Sequence, residues 1–211
     1  MADTGWHYPG TVAQVDHPFG TKSWLYLDEC KTSNDVSANS RGAVSGGNSE
    51  WLWTTNYAMG VPDGATINGI YVGIEAKADD PYAVSDLDVR MIKAGAVVGD
   101  DLSKHIDWLT TDVWYYYGGS TNKWGTTWTV AQVNASNFGL AFQASMYIRA
   151  VAQVDCIRIK IYYTEAVGTN MKINIGDAWK DGDEIKINVG DVWKNAIEIW
   201  QNIGDVWKVI F

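Results

Sequence analysis

Apolar and polar residues alternate with a period of two along much of the first 165 residues. Ile70, Val72, Ile74 and Ala76 alternate with Tyr71, Gly73, Glu75 and Lys77, while Ile157, Ile159, Ile161 and Tyr163 alternate with Arg158, Lys160 and Tyr162. Successive side chains on a strand point to opposite faces, so each run predicts a half-buried strand with its aliphatic set inward. Leu87, Val89 and Met91 read the same way; the residues 93–96 turn the chain and Val97-Val98 start the return. Phe138, Leu140 and Phe142 predict another strand, and Trp51-Leu52-Trp53 puts two indoles on one face of a further one. Helical signal is confined to a single turn at 130–134, with Thr129 as its N-cap. The stretch 31–48, rich in Ser, Asn and Gly, predicts a long surface loop. Short strands punctuated by Gly, Asn and Asp predict an all-β chain, a jelly-roll-like antiparallel β-sandwich over residues 1–165.

From residue 172 the pattern changes to a tandem repeat. Lys172-Ile-Asn-Ile-Gly-Asp-Ala-Trp-Lys180 returns from Lys186 and again, slightly altered, from Trp200, a period of 14 residues. Each copy alternates apolar and polar residues, then breaks at Gly-Asp. The pairs Gly176-Asp177, Gly190-Asp191 and Gly204-Asp205 suit a two-residue hairpin turn with positive φ at its first position. Residues 172–211 are therefore expected to form three β-hairpin repeats, a small meander or prism joined to the sandwich by a linker at 166–171. Units below ~40 residues rarely bury a core alone. The repeat has no cysteine, and its constant is the indole series Trp179, Trp193 and Trp207. These predict an interface for self-association, with a trimer favoured; packing on the sandwich, or a pseudo-threefold prism within one chain, are the alternatives.

Composition narrows the chemistry. Trp (12) and Tyr (11) far exceed Phe (4), a bias that suits surfaces both apolar and wet, as in interfaces and carbohydrate platforms. The formal charge of −9 and the lack of a basic run argue against phosphate-backbone binding, so no nucleic acid is expected. No apolar stretch approaches the ~20 residues that cross a bilayer, and no membrane insertion is expected. The start has neither a basic nor an apolar leader segment, which predicts synthesis in a cytosol without a signal peptide. Cys30 and Cys156 read as buried thiols in a reducing compartment; whether they pair is left open.

Catalytic signatures are missing. His7, His17 and His105 form no ligand-spaced pair, and no Cys-x-x-Cys or Gly-x-Ser-x-Gly occurs. Asp79-Asp80 and Asp100-Asp101 are paired in sequence, whereas a glycosidase needs two carboxylates facing across a cleft about 5–9 Å wide. Both pairs read as solvated turns. No cofactor is expected; Ca2+ at such a loop is chemically reasonable but has no supporting ligand spacing. The aromatic clusters remain. Trp51, Trp53, Tyr57, Trp114 and Trp124 are the candidate glycan platform, set against the competing reading that they are core and interface anchors.

Several of these segments resemble those of a β-sandwich domain common in structural proteins of tailed-bacteriophage virions. The similarity lies in Ile67-Asn-Gly-Ile-Tyr-Val-Gly-Ile-Glu-Ala-Lys77, Asp88-Val-Arg-Met-Ile-Lys-Ala-Gly95, Trp124-Gly-Thr-Thr-Trp128, Val133-Asn-Ala-Ser-Asn-Phe-Gly139 and Val154-Asp-Cys-Ile-Arg-Ile-Lys-Ile-Tyr-Tyr163. The Ile-Asn-Val-Gly-Asp-Val-Trp-Lys repeat resembles C-terminal tails of phage tail, fibre and head-decoration proteins. The resemblance implies a non-enzymatic virion surface protein, a head fibre, decoration protein or tail-fibre component, partnered by capsid or tail proteins and by its own copies, and able to adhere to a host surface glycan. The alternative expectation is a carbohydrate-binding module or lectin. A glycan-degrading enzyme ranks last for want of a carboxylate constellation.

Overall fold

The computed structural model describes residues 1–166 throughout and, beyond them, the backbone of strands within 171–175, 178–182, 186–189, 192–195, 200–203 and 206–209. The chain divides into two compact units, Met1–Ala166 and Val167–Phe211.

Unit 1 is an antiparallel β-sandwich. Its elements are β1 (Ala2–Asp3), β2 (Thr11–Val15), β3 (Trp24–Leu25), β4 (Ala38–Arg41), β5 (Gly47–Asn48), β6 (Trp51–Thr55), β7 (Thr66–Ala78), β8 (Val84–Lys93), β9 (Ala96–Val98), β10 (Val113–Gly118), α1 (Val130–Asn134), β11 (Gly139–Met146) and β12 (Val151–Thr164). The first sheet runs β10-β7-β12-β4-β3 with β1 also on β12; the second runs β2-β6-β11-β8-β9 with β5 on β11. The inner faces carry the aliphatic sets, with Ile70, Val72, Ile74, Ile157, Ile159 and Ile161 packed in one core with Leu52, Val89, Met91, Leu140 and Phe142. Trp24 and Trp108 both pack on Phe142, at 6.1 and 5.8 Å between ring centroids. The helical turn α1 closes with a capping box: Gln132 N donates to Thr129 Oγ1, and Thr129 N donates back to Gln132 Oε1.

Two local expectations fail for identifiable reasons. Leu87 does not share the core face with Val89 and Met91. On β8 the register passes from Asp88 opposite Gln143 to Asp86 opposite Ala144, so Leu87 is the extra residue of a bulge and Asp86 turns inward. The buried Asp86 carboxylate accepts from the backbone N–H groups of Lys104 and Ile106, which ties the segment after β9 to the sandwich. The stretch 31–48 is not all loop. β4 lies between β12 and β3, with Ala38–Arg41 opposite residues 151–154, and its polar sequence becomes a strand because both neighbours offer ladder partners.

Unit 2 contains β13 (Met171–Ile175), β14 (Ala178–Gly182), β15 (Lys186–Val189), β16 (Val192–Asn195), β17 (Trp200–Ile203) and β18 (Val206–Val209). They pair two by two within each repeat: Asn174 opposite Trp179, Asn188 opposite Trp193, Asn202 opposite Trp207. The turn pairs Gly176-Asp177, Gly190-Asp191 and Gly204-Asp205, like residues 167–170 of the expected linker, lie outside the described residues.

Candidate ligand-binding face

Side chains paired across a sheet share a face, so the register of β10, β7 and β12 defines three rows on the outside of the first sheet. They are Trp114–Glu75–Cys156, Tyr116–Gly73–Arg158 and Gly118–Tyr71–Lys160. The segment after β1 runs antiparallel beside β12, with His7 bridged to Ile159, and brings Trp6 onto the same face. Trp6, Tyr71, Trp114, Tyr116 and Tyr162 are all half-buried here, as are Arg158 and Lys160.

The rings form one contiguous patch. Tyr71 stacks with Tyr116 at 5.3 Å, Trp6 lies 5.4 Å from Tyr71 and 6.1 Å from Tyr116, and Trp114 lies 6.3 Å from Tyr116. Arg158 is inserted among them, its guanidinium carbon 3.6 Å from the Trp114 centroid and 4.3 Å from that of Trp6. One of its terminal nitrogens donates to Tyr116 Oη at 2.9 Å. Lys160 Nζ lies 5.1 Å from Trp6 and 5.8 Å from Tyr162. Gly73 makes this closeness feasible. A Cβ there would stand 3.1 Å from both Trp114 and Tyr116 and 3.2 Å from Arg158 Nε, so the bare backbone is the floor on which these side chains converge.

One margin of the patch is acidic. Burial, reinforced by Asp155 and Asp112 and opposed by a hydrogen bond from Ser33, holds the Glu75 carboxyl above the ordinary range. Glu75 Oε2 and Asp112 Oδ1 are buried without a hydrogen-bond partner, as is Arg158 Nε. The other Asp112 oxygen accepts from Lys77 Nζ at 2.7 Å, and this bond is the main reason the Lys77 ammonium is held above its usual range. Burial first, then the neighbouring Tyr116 and Tyr162, raises the Tyr71 phenol.

The five sequence-predicted platform residues do not meet. Trp114 alone stands on this face. Trp124 is fully buried in the core, its indole N–H donating to the Ile70 carbonyl at 3.0 Å, and Tyr57 is buried with its hydroxyl 2.7 Å from Thr54 Oγ1. Neither can stack on a ligand. Trp51 and Trp53 share the outer face of the second sheet as their spacing predicts, packing over Ala141, Ile92 and Val97. Trp51 is only 6% exposed, because the His17 ring covers it edge-on at 4.6 Å. Trp53 is half-buried, with its indole nitrogen unpartnered. Of the residues that do converge, Tyr71, Arg158, Lys160 and Tyr162 were signalled only as polar-face members of the alternating runs and Tyr116 only as a chain neighbour of Trp114, while nothing in the sequence singled out Trp6.

The remaining candidates have structural surroundings. Asp101 Oδ1 accepts from Ser103 N within its turn and from Val89 N on β8, and Asp79 Oδ1 accepts from Val151 N at the start of β12, so both serve backbone donors of the sandwich. Among the described residues no cluster of three or more His, Cys, Asp or Glu is arranged to hold a metal ion. Cys30 and Cys156 are free and buried, and burial first of all pushes both thiols up to about 12. Two depressions, of about 460 Å³ beside Trp128 and about 490 Å³ beside Trp24, are lined by other residues than the aromatic patch.

No protein-family model and no curated protein matches the chain. Among solved structures it is similar to the xylan-binding domain CBM22-1 of Paenibacillus barcinonensis Xyn10C, at 14% identity and a TM-score of 0.39 over 76% of this chain and 88% of that one. It is also similar to the N-terminal cellulose-binding domain of Cellulomonas fimi β-1,4-glucanase C, at 11% identity and a TM-score of 0.34 over 77% and 90%. A third similarity, to the enzymatically active domain of tailspike protein 4 of bacteriophage CBA120, has 13% identity and a TM-score of 0.35 over 75% of this chain and 19% of that one.

Proposed function

We propose that unit 1 is a non-catalytic carbohydrate-binding domain and that the outer face of its first sheet is the sugar-binding surface. One observation carries this reading: Trp6, Tyr71, Tyr116, Trp114 and Tyr162 stand half-exposed together on one sheet face, with ring centroids of successive neighbours among the first four 5.3 to 6.3 Å apart. Flat rings that are apolar across the face and polar at the edge suit the C–H face and hydroxyl rim of a sugar ring. A contiguous aromatic surface on an exposed sheet costs solubility and calls for a function. Tyrosine hydroxyls, Arg158 and Lys160 supply hydrogen bonds around the rings. Strands β7, β10 and β12 hold all of these side chains except Trp6, whose segment is bridged to β12 through His7, so little ordering remains to be done on binding. The reading is tested by titrating the full chain with soluble oligosaccharides and following tryptophan fluorescence. Binding that Tyr71→Ala and Tyr116→Ala each weaken by roughly tenfold, and Trp53→Ala leaves intact, supports this face. No response to any sugar at millimolar concentration defeats it.

A second reading concerns display. Three two-stranded sheets of identical register, each of only four or five residues per strand, are marginal alone and favour self-association. With the resemblance to virion proteins, we propose a trimer on a phage particle, bound to capsid or tail proteins, in which copies of unit 1 gain avidity for host glycans. Light scattering of the full chain tests this: a monomer whose mass does not change when Trp179, Trp193 and Trp207 are replaced by Ser rules it out.

A further inference from the structure

We propose that the sugar received on this face is anionic, with its carboxylate or sulfate held by Arg158 and Lys160. The inference rests on the reading of the face as a glycan surface and adds the charge of the ligand. Cations are the minority in this chain, 16 Lys and Arg against 25 Asp and Glu, yet two of them stand two residues apart on β12 in the middle of the aromatic patch. Arg158 forms no ion pair among the described residues, and its hydrogen bond there is to the Tyr116 hydroxyl. Trp114 and Trp6 both lie against the guanidinium, Nε is buried and one terminal nitrogen is bonded to Tyr116, so the remaining terminal N–H groups are the donors left for a partner. A guanidinium held by such contacts offers its terminal N–H groups as paired donors of the kind that match a carboxylate or sulfate.

Lys160 extends the positive edge. Its described ion pair is to Asp3 Oδ1 at 3.6 Å, longer than a good charged hydrogen bond, and the same oxygen already accepts from Gly5 N at 2.8 Å. The other charged groups of the face do not offset Arg158. Lys77 and Asp112 pair with each other at 2.7 Å, and Glu75, one row from Arg158 on the side away from Lys160, forms no ion pair with it. The face thus has an acidic margin and a cationic centre over stacked rings, and an acidic sugar laid on Tyr71 and Tyr116 meets the cationic part.

The test compares an oligogalacturonate with its fully methyl-esterified form, the same sugar without charge, and with a sulfated glycan of similar length, titrated into the full chain by calorimetry. The acid or the sulfate ester is expected to bind roughly tenfold tighter than the neutral ester, with the advantage shrinking as salt rises from about 0.02 to 0.3 M. Lys160→Gln is expected to reduce the ratio of charged to neutral affinity at least about threefold, with its circular dichroism unchanged. The carboxylate and sulfate arms identify which anion the site prefers. Equal or tighter binding of the neutral ester overturns the proposal and leaves the glycan reading standing, whereas no binding of any sugar overturns the glycan reading itself.

Discussion

The guanidinium of Arg158 lies 3.6 Å from the centre of the Trp114 ring, across a glycine, on the outer face of a sheet where both side chains could have extended into water. Trp114 comes from β10 and Arg158 from β12, so the contact ties together two strands that flank β7 and do not touch each other in the ladder. A cation over an indole contributes about 0.5–2 kcal/mol depending on how far water is excluded. A double-mutant cycle with Arg158→Met and Trp114→Leu should therefore give a coupling of about 1 kcal/mol in urea denaturation. A coupling near zero would mean the pair is adjacent without interacting.

Gly73 is the floor of this arrangement, and Gly73→Val should break it from below. The added side chain would meet Trp114, Tyr116 and Arg158 within about 3 Å of its first carbon, so the rings must lift off the sheet. The inner face of β7 keeps its Val72 and Ile74 contacts. The expected result is loss of sugar binding by an order of magnitude or more with a stability cost of only about 1–2 kcal/mol. Unfolding of unit 1, or full retention of binding, would each contradict that account.

Asp86 holds the segment after β9 by accepting from two backbone donors while 1% exposed. Asp86→Ala leaves the N–H groups of the exposed residues Lys104 and Ile106 without their partner, and the loss of two charge-assisted bonds to a buried carboxylate costs about 3 kcal/mol. Chemical denaturation should show a drop of that size, with faster amide exchange at 104 and 106. A change below about 0.5 kcal/mol would show that water replaces the carboxylate at no cost.

Glu75 predicts a pH dependence with a definite sign. Its folded carboxyl is held above the ordinary value of 4.5, mainly by burial, so the folded protein binds this proton more tightly than the unfolded chain. The stability associated with the proton is fully present below the unfolded value and is lost as pH rises through the folded one. The wild type should therefore lose stability relative to Glu75→Gln as pH increases from 4.5 upward. Melting curves of both proteins across this range check it; a constant difference would assign the raised carboxyl no thermodynamic weight.

Much of the sandwich was legible because a sheet with one buried face writes a period of two into its strands. The runs 70–77 of β7 and 157–162 of β12 carried that period between register shifts near Cys156 and Tyr163, and their polar members, Tyr71, Arg158, Lys160 and Tyr162, proved to be one side of the candidate site. The bulge at Leu87 was not legible, since a one-residue insertion in β8 takes its meaning from the strand opposite. β4 was missed because Ala38-Asn39-Ser40-Arg41 has no apolar alternation; it is a strand because β12 and β3 satisfy its backbone.

The aromatic residues divide in the same way. Spacing alone put Trp51 and Trp53 on one face and is right about that, yet it cannot report that His17 lies over Trp51. Trp124 and Tyr57 look like platform residues in sequence and are core, because Ile70 and Thr54 provide partners for their polar atoms deep inside. What the amino-acid order determined by itself is the periodicity: which residues of a strand share a face, and that the last 14-residue units repeat. Which strands lie side by side, and hence that Trp114, Tyr116 and Arg158 meet over Gly73, was decided only by tertiary pairing. Gly73 and Arg158 are far from the two rings in the chain, and the hydrogen-bond register that aligns them depends on every strand between them.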